Sequence, residues 1–141
     1  MKLTQEEIKQ IIPHRDPMLL VSTVEEMVPG ESIVTTFWVD PQREIFKGHF
    51  PAEPVMPGVL VLEALAQVGA VAILSCEEFK GKTAYFGGVK SAKFKKKIVP
   101  GDVLTLELEI IKQKGPIGVG SATAYVDGKA AVVAELTFAI G

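Results

Sequence analysis

The sequence predicts an α+β domain in which a curled antiparallel sheet wraps around one long apolar helix. Three observations carry this expectation. Residues 59–74 hold thirteen apolar residues of sixteen, the exceptions being Glu63, Gln67 and Gly69; that run is too long for a buried strand and is apolar on every side, so it reads as a helix enclosed by other structure. Strand patterns fill most of the remaining chain, with Asp127-Gly128 as a strong hairpin signal near the end. At 141 residues and 48% hydrophobic, the chain can bury a core without metals or disulfides, so residues 1–141 are expected to form one domain.

Taken in order, Thr4 with Glu7 three residues on makes a capping box before Ile8, Ile11 and Ile12, which predicts a short amphipathic helix over 4–11 that Pro13 ends. PHRDP, residues 13–17, is bounded by prolines and must be irregular. Residues 18–28 and 32–40 read as two strands joined at Pro29-Gly30. Four prolines (Pro41, Pro51, Pro54 and Pro57) make 41–58 a shaped loop, and Pro57-Gly58 suits the first turn of the helix that follows. Strands are expected over 83–94, 103–111, 118–126 and 130–140. In the second of these, Leu104, Leu106, Leu108 and Ile110 share one face and Thr105, Glu107 and Glu109 the other. Val132, Ala134, Leu136, Phe138 and Ile140 line one face of the last. The expected sheet is a meander of about five strands.

Composition removes several classes of function. A net charge of −2 gives no overall basic excess for nucleic acid. Cys76 stands alone, with no Cys/His cluster, so neither a disulfide within the chain nor a structural zinc site is expected and a reducing, cytosolic setting is. The N-terminus lacks the apolar stretch of a secretion signal, and the helix, with an acid near its middle, is short for a membrane span. GPIGVG at 115–120 lies between strands and lacks the helix that a phosphate loop needs.

His49 and Glu63 are the pair with chemical potential. A proline-rich loop can aim the His49 ring by rigid backbone, while Gln67, four residues after Glu63, falls on the same helix face. An unpaired buried carboxylate is costly, and burial is expected to raise the Glu63 pKa toward neutrality and poise it as an acid. A histidine is the natural base partner. Gly58 adds an N–H at the helix start, favoured by the helix dipole and open to a carbonyl oxygen. Base, acid and oxyanion donor are what removal of a proton beside a thioester carbonyl, with loss of a β-hydroxyl, requires. The same residues also admit a plainer reading, in which Glu63 and Gln67 only hydrogen-bond each other or nearby backbone and His49 is structural.

GHFPAEPVMPG at 48–58, LEALAQ at 62–67, PHRDPMLLV at 13–21, AYFGGV at 84–89, VPGD at 99–102 and AYVDG at 124–128 closely resemble the 3-hydroxyacyl-[acyl-carrier-protein] dehydratases of type II fatty acid synthesis. The resemblance runs from about residue 8 to the end. It implies a hotdog fold, and it implies reversible dehydration of a (3R)-3-hydroxyacyl thioester to the trans-2-enoyl thioester with no metal or organic cofactor. His49 and Glu63 would be the catalytic base and acid, contributed by different subunits of a homodimer, which would account for a helix too apolar for its own domain. The Gly58 N–H would bind the thioester carbonyl, the Val55 carbonyl would orient His49, and Gln67 would support Glu63. Trimers of such dimers are implied, and membrane insertion and nucleic acid are not. A sister group that also isomerises the product typically has Asp at the position of Glu63. The chain departs from the family pattern at Ala52, Asp16 and Lys90. His14 and Arg15 are left with a bracing role in their loop.

Seven lysines and no acid lie between Phe79 and Gly101. Charge alone fits a lysine-protected strand edge equally well, but the resemblance implies an acidic acyl carrier protein as partner, and Lys93, Lys95 and Lys97, of one parity in a regular strand, are the expected docking residues. A hotdog thioesterase and a non-catalytic acyl-thioester-binding protein are the rival readings. The complete GHFP, MPG and Glu63 pattern argues against the first, and the absence of an added DNA-binding segment against the second.

Overall fold

In the computed structural model, which describes residues 1–141, the chain runs through α1 (Gln5–Ile8), β1 (Thr23–Val28), β2 (Ser32–Trp38), α2 (Gly58–Leu74), β3 (Ala84–Phe94), β4 (Val103–Lys114), β5 (Ile117–Val126) and β6 (Lys129–Ile140). The six strands form one sheet in the order β1-β2-β4-β5-β6-β3, every pairing antiparallel. α2 packs against β2, β3, β4, β5 and β6, so the sheet curls around the helix. Leu104, Leu106 and Leu108 of β4 and Val132, Ala134, Leu136, Phe138 and Ile140 of β6 are buried, as strict alternation requires when one sheet face meets a core.

The order of strands differs from a simple meander. β4, β5 and β6 follow one another, but β3 pairs beyond β6 at the far edge. The α2 crossover separates β2 from β3, and α2 together with the segment after it carries the chain past the sheet before β3 begins.

Two elements are shorter than the sequence predicts. α1 stops at Ile8, although the Thr4–Glu7 capping box forms as expected; the Gln10 and Ile11 N–H groups turn to the carbonyls three residues back, of Glu7 and Ile8, and Arg15 satisfies the carbonyls left over at Lys9, at 2.9 Å, and Ile12, at 3.0 Å. β1 begins only at Thr23. The Leu20 N–H and the Met18 carbonyl instead bond the side-chain amide of Gln67, at 2.8 and 2.7 Å, and backbone groups held that way are not free for a ladder.

Burial along α2 is also uneven, which corrects the expectation of a helix too apolar for its own chain. Residues Ala64 through Leu74 are all buried within the one chain. Val59, at 71% exposed, stands out on the first turn. The larger unburied apolar surface is β3, which has no buried residue and exposes Tyr85, Phe86, Val89 and Phe94.

Gly69 sets the distance between α2 and the sheet, since a Cβ there would collide with the Phe138 ring and crowd Leu108. Alanine favours helix by up to about 1 kcal/mol over glycine, whereas forcing a methyl into a closed core costs about 1–3 kcal/mol. Gly69→Ala is therefore expected to lower stability by about 1–2 kcal/mol net. A urea midpoint equal to or above that of wild type would contradict this packing account.

Candidate active site

His49 is aimed by a short closed loop. Its N–H bonds the Ile45 carbonyl and its carbonyl accepts the Val55 N–H, both at 3.0 Å, while its Nδ1 lies 2.8 Å from the Val55 carbonyl oxygen. A carbonyl can only accept, so Nδ1 carries the proton and the neutral ring presents Nε2 with a free lone pair. Phe50 stacks on the ring with centroids 4.2 Å apart. The Met56 N–H then pins the loop to the Ile98 carbonyl at 2.7 Å, and Pro57 leads into Gly58, the first residue of α2.

His49, Val55 and Gly58 line one cavity of about 520 Å³, together with Phe94 and Lys95 to Lys97. A Cβ on Gly58 would meet Phe94 Cε1 at 2.6 Å, so the close approach of that ring requires glycine there. Being at the first position of the helix, the Gly58 N–H has no acceptor within it. A second cavity, apolar and about 360 Å³, adjoins the first at Met56 and is lined also by Met18, Leu20, Phe37 and Phe46.

Glu63 lies elsewhere. With Gln67 and His14 it lines a separate small cavity of about 40 Å³, walled by Ala84, Phe86 and Phe138. Gln67, 1% exposed, accepts from Leu20 N–H through Oε1 and donates through Nε2 to the Met18 carbonyl and to Glu63 Oε2, the last at 2.8 Å. Both amide hydrogens and the oxygen are thereby committed, which fixes the face that Gln67 turns to Glu63. One chain thus gathers His49, Val55 and Gly58 in one place and Glu63 and Gln67 in another.

The Glu63 carboxyl is held below its ordinary value of 4.5, not raised. The largest cause is His14, whose Nε2 is 3.5 Å from Glu63 Oε2. Burial pushes in the opposite direction but is partial, since both side chains are 24% exposed, and the Gln67 hydrogen bond adds to the lowering. The expectation of a raised value treats burial as the only influence and omits the neighbour. No spacing in the sequence links residue 14 to residue 63; the one trace of it is that a histidine sits in a proline-bracketed segment.

The lysines also differ from a regular strand. β3 ends at Phe94, and Lys95 and Lys96 both direct their N–H groups at the Ala131 carbonyl, so the chain bends there. Parity therefore does not extend from Lys93 to Lys95 and Lys97, and Lys93 does not line the His49 cavity while Lys95, Lys96 and Lys97 do. Acids from elsewhere temper the patch: Glu53 pairs with Lys97 at 3.1 Å and Glu135 with Lys90 at 3.4 Å. Such exposed pairs are worth little energetically.

The FabA-like domain family matches residues 12–135 of the chain. The protein "3-hydroxyacyl-[acyl-carrier-protein] dehydratase FabZ" of Clostridium novyi (strain NT) is 60% identical over 141 residues, which cover 100% of this chain and 99% of that protein. The protein of the same name from Ligilactobacillus salivarius (strain UCC118) is 62% identical over 135 residues, 96% of each. Among solved structures, a chain of the dehydratase heterocomplex ApeI:P from Xenorhabdus doucetiae is similar in fold, with a TM-score of 0.77 at 18% identity over 95% of this chain and 90% of that one.

Proposed function

The chain belongs to the FabA-like domain family, and from that premise we infer that it catalyses the reversible dehydration of 3-hydroxyacyl-[acyl-carrier-protein] in fatty acid biosynthesis. It is a hydro-lyase on a hotdog fold, and residues 1–141 act as one domain. The observation that carries the reading is the His49 geometry: Nδ1 tied to the Val55 carbonyl at 2.8 Å, with the ring lining the same cavity as Gly58 at the start of α2.

In the proposed mechanism, Nε2 of His49 takes the C2 proton of a (3R)-3-hydroxyacyl thioester while the Gly58 N–H bonds the thioester oxygen and stabilises the developing enolate. The C3–O bond breaks, the C2=C3 bond of the trans-2-enoyl product forms, and Glu63 protonates the departing hydroxyl, which leaves as water. The apolar cavity adjoining at Met56 has the character that an acyl chain requires. His49 and Glu63 line different cavities of one chain, which supports a site shared across a homodimer. β3 supports the same arrangement, being an edge strand with its outer backbone groups unpaired and four large apolar side chains exposed. A trimer of such dimers belongs to the reading as the resemblance implies it, and a cytosolic location as the lone Cys76 suggests a reducing setting. No helix is long and apolar enough to cross a membrane.

Purified protein given a crotonyl thioester of carrier protein or of coenzyme A is expected to hydrate it, seen as loss of enoyl absorbance. Absence of turnover overturns the assignment. The acyl carrier protein is the proposed partner of Lys93, Lys95 and Lys97, of which Lys95 and Lys97 line the His49 cavity. Reversing charge at Lys95 and Lys97 is expected to raise KM for the carrier-protein substrate, more steeply at low salt, and to leave that for the coenzyme A substrate nearly unchanged. Equal changes for both substrates would remove the docking role.

A further inference from the structure

His14 touches Glu63 but has no part in the mechanism above. Its Nε2 lies 3.5 Å from Glu63 Oε2, and its Nδ1 is buried without a hydrogen-bond partner. The backbone beneath it is built to hold it: the Arg15 guanidinium bonds the carbonyls of Lys9, Ile12 and His14 itself, at 2.9, 3.0 and 2.7 Å. Three and five residues after Arg15, Met18 and Leu20 are fastened to Gln67, which also holds Glu63. The PHRDP segment and α2 are thus joined around one carboxylate. The other residues lining the small cavity are Ala66, Gln67, Ala70, Ala84, Phe86 and Phe138, none of them titratable.

We propose that His14 is a positioning residue for Glu63, holding the carboxylate against Gln67 and sharing with it the proton that the departing hydroxyl receives. This rests on the dehydratase reading of Glu63 as the acid. A carboxyl held below its ordinary value is ionised at neutral pH, so by itself it has no proton to give. An imidazolium beside it carries one, and imidazolium with carboxylate is equivalent in protons to imidazole with carboxylic acid. The proton passes from His14 Nε2 to Glu63 and on to the leaving oxygen as water forms. It is returned from protonated His49 of the partner subunit through that water, so the cycle balances in both directions. Within the chain, His14 is the titratable side chain against Glu63, and the proposed shared site adds His49 of the partner subunit.

The test is the pH dependence of kcat/KM for crotonyl-thioester hydration in wild type, His14→Ala, His14→Gln, Glu63→Gln and the double variant His14→Ala/Glu63→Gln. The limb that disappears in Glu63→Gln belongs to the pair. His14→Ala is expected to lower kcat by up to about 10²-fold and, because the shared proton then has only a lone carboxyl to reside on in place of the imidazolium–carboxylate pair, to move that limb to lower pH. His14→Gln, which keeps an amide donor but no titratable proton, is expected to recover part of kcat with the limb still displaced; it reads the limb by itself if the alanine variant fails to fold. The double variant is expected to be no slower than Glu63→Gln, since His14 acts through Glu63. An unmoved limb, or penalties that multiply in the double variant, overturns the proposal. Wild type without turnover, or Glu63→Gln as active as wild type, overturns the dehydratase reading itself, so the two failures are distinct.

Discussion

His49→Ala is expected to lower kcat/KM for crotonyl-thioester hydration by about 10²–10⁴-fold, the range over which a positioned general base contributes. The size of the effect follows from how fully the ring is prepared. Its Nδ1 hydrogen bond to the Val55 carbonyl selects the tautomer with Nε2 free, the His49–Val55 backbone pair closes the loop beneath it, and Phe50 stacks against its face. Alanine removes the base while leaving the backbone bonds to Ile45 and Val55 intact. Because His49 is only half-buried, the variant should keep the circular dichroism spectrum and assembly size of wild type. A folded His49→Ala protein within a few-fold of wild-type activity would show that another group takes the proton.

Mixing two inactive variants is expected to restore activity. His49→Ala lacks the base and Glu63→Gln lacks the acid, and each is nearly silent as a homodimer. If the site is built from His49 of one subunit and Glu63 of the other, a heterodimer of the two variants has one site with both defects and one with none. Random pairing makes half of the dimers heterodimers with one intact site of two, so co-expressed chains should reach about a quarter of wild-type activity. The gain is from near zero, which makes it the sharper of the two results. If the co-expressed chains give no more than the sum of the parent activities, each chain supplies its own acid and base. Glutamine is the appropriate replacement at 63 because its carbonyl still accepts the Gln67 hydrogen bond seen at 2.8 Å, so Gln67 is not left with an unsatisfied buried amide.

Elements whose evidence is local were legible in the chain. The capping box at Thr4 forms, the apolar run becomes α2, alternation in β4 and β6 becomes burial, and Asp127-Gly128 turns with both residues at positive φ. The His49 loop, Gly58 at the helix start and the Glu63–Gln67 stripe also lie within twenty residues of chain, so periodicity and loop chemistry bring them into view, whereas the role of the Val55 carbonyl follows only from the resemblance. Long-range links could not be read in this way. That β3 pairs with β6 rather than β4 depends on where the α2 crossover delivers the chain. The late start of β1 depends on Gln67 capturing backbone groups that propensity assigns to regular structure.

The sequence by itself determined the helix, the strands, the rigid loop that carries a histidine and the polar stripe on an apolar rod, because each of these is written in periods of two to four residues and in prolines. Only the tertiary structure decided the charge state at the centre of the site. His14, forty-nine positions before Glu63 in the numbering, reaches it through folding alone, and at 3.5 Å its influence outweighs partial burial and holds the carboxyl low. Desolvation can be foreseen from an apolar neighbourhood in the chain, but a hydrogen bond from a side chain distant in sequence depends on proximity in space, which a linear sequence does not contain.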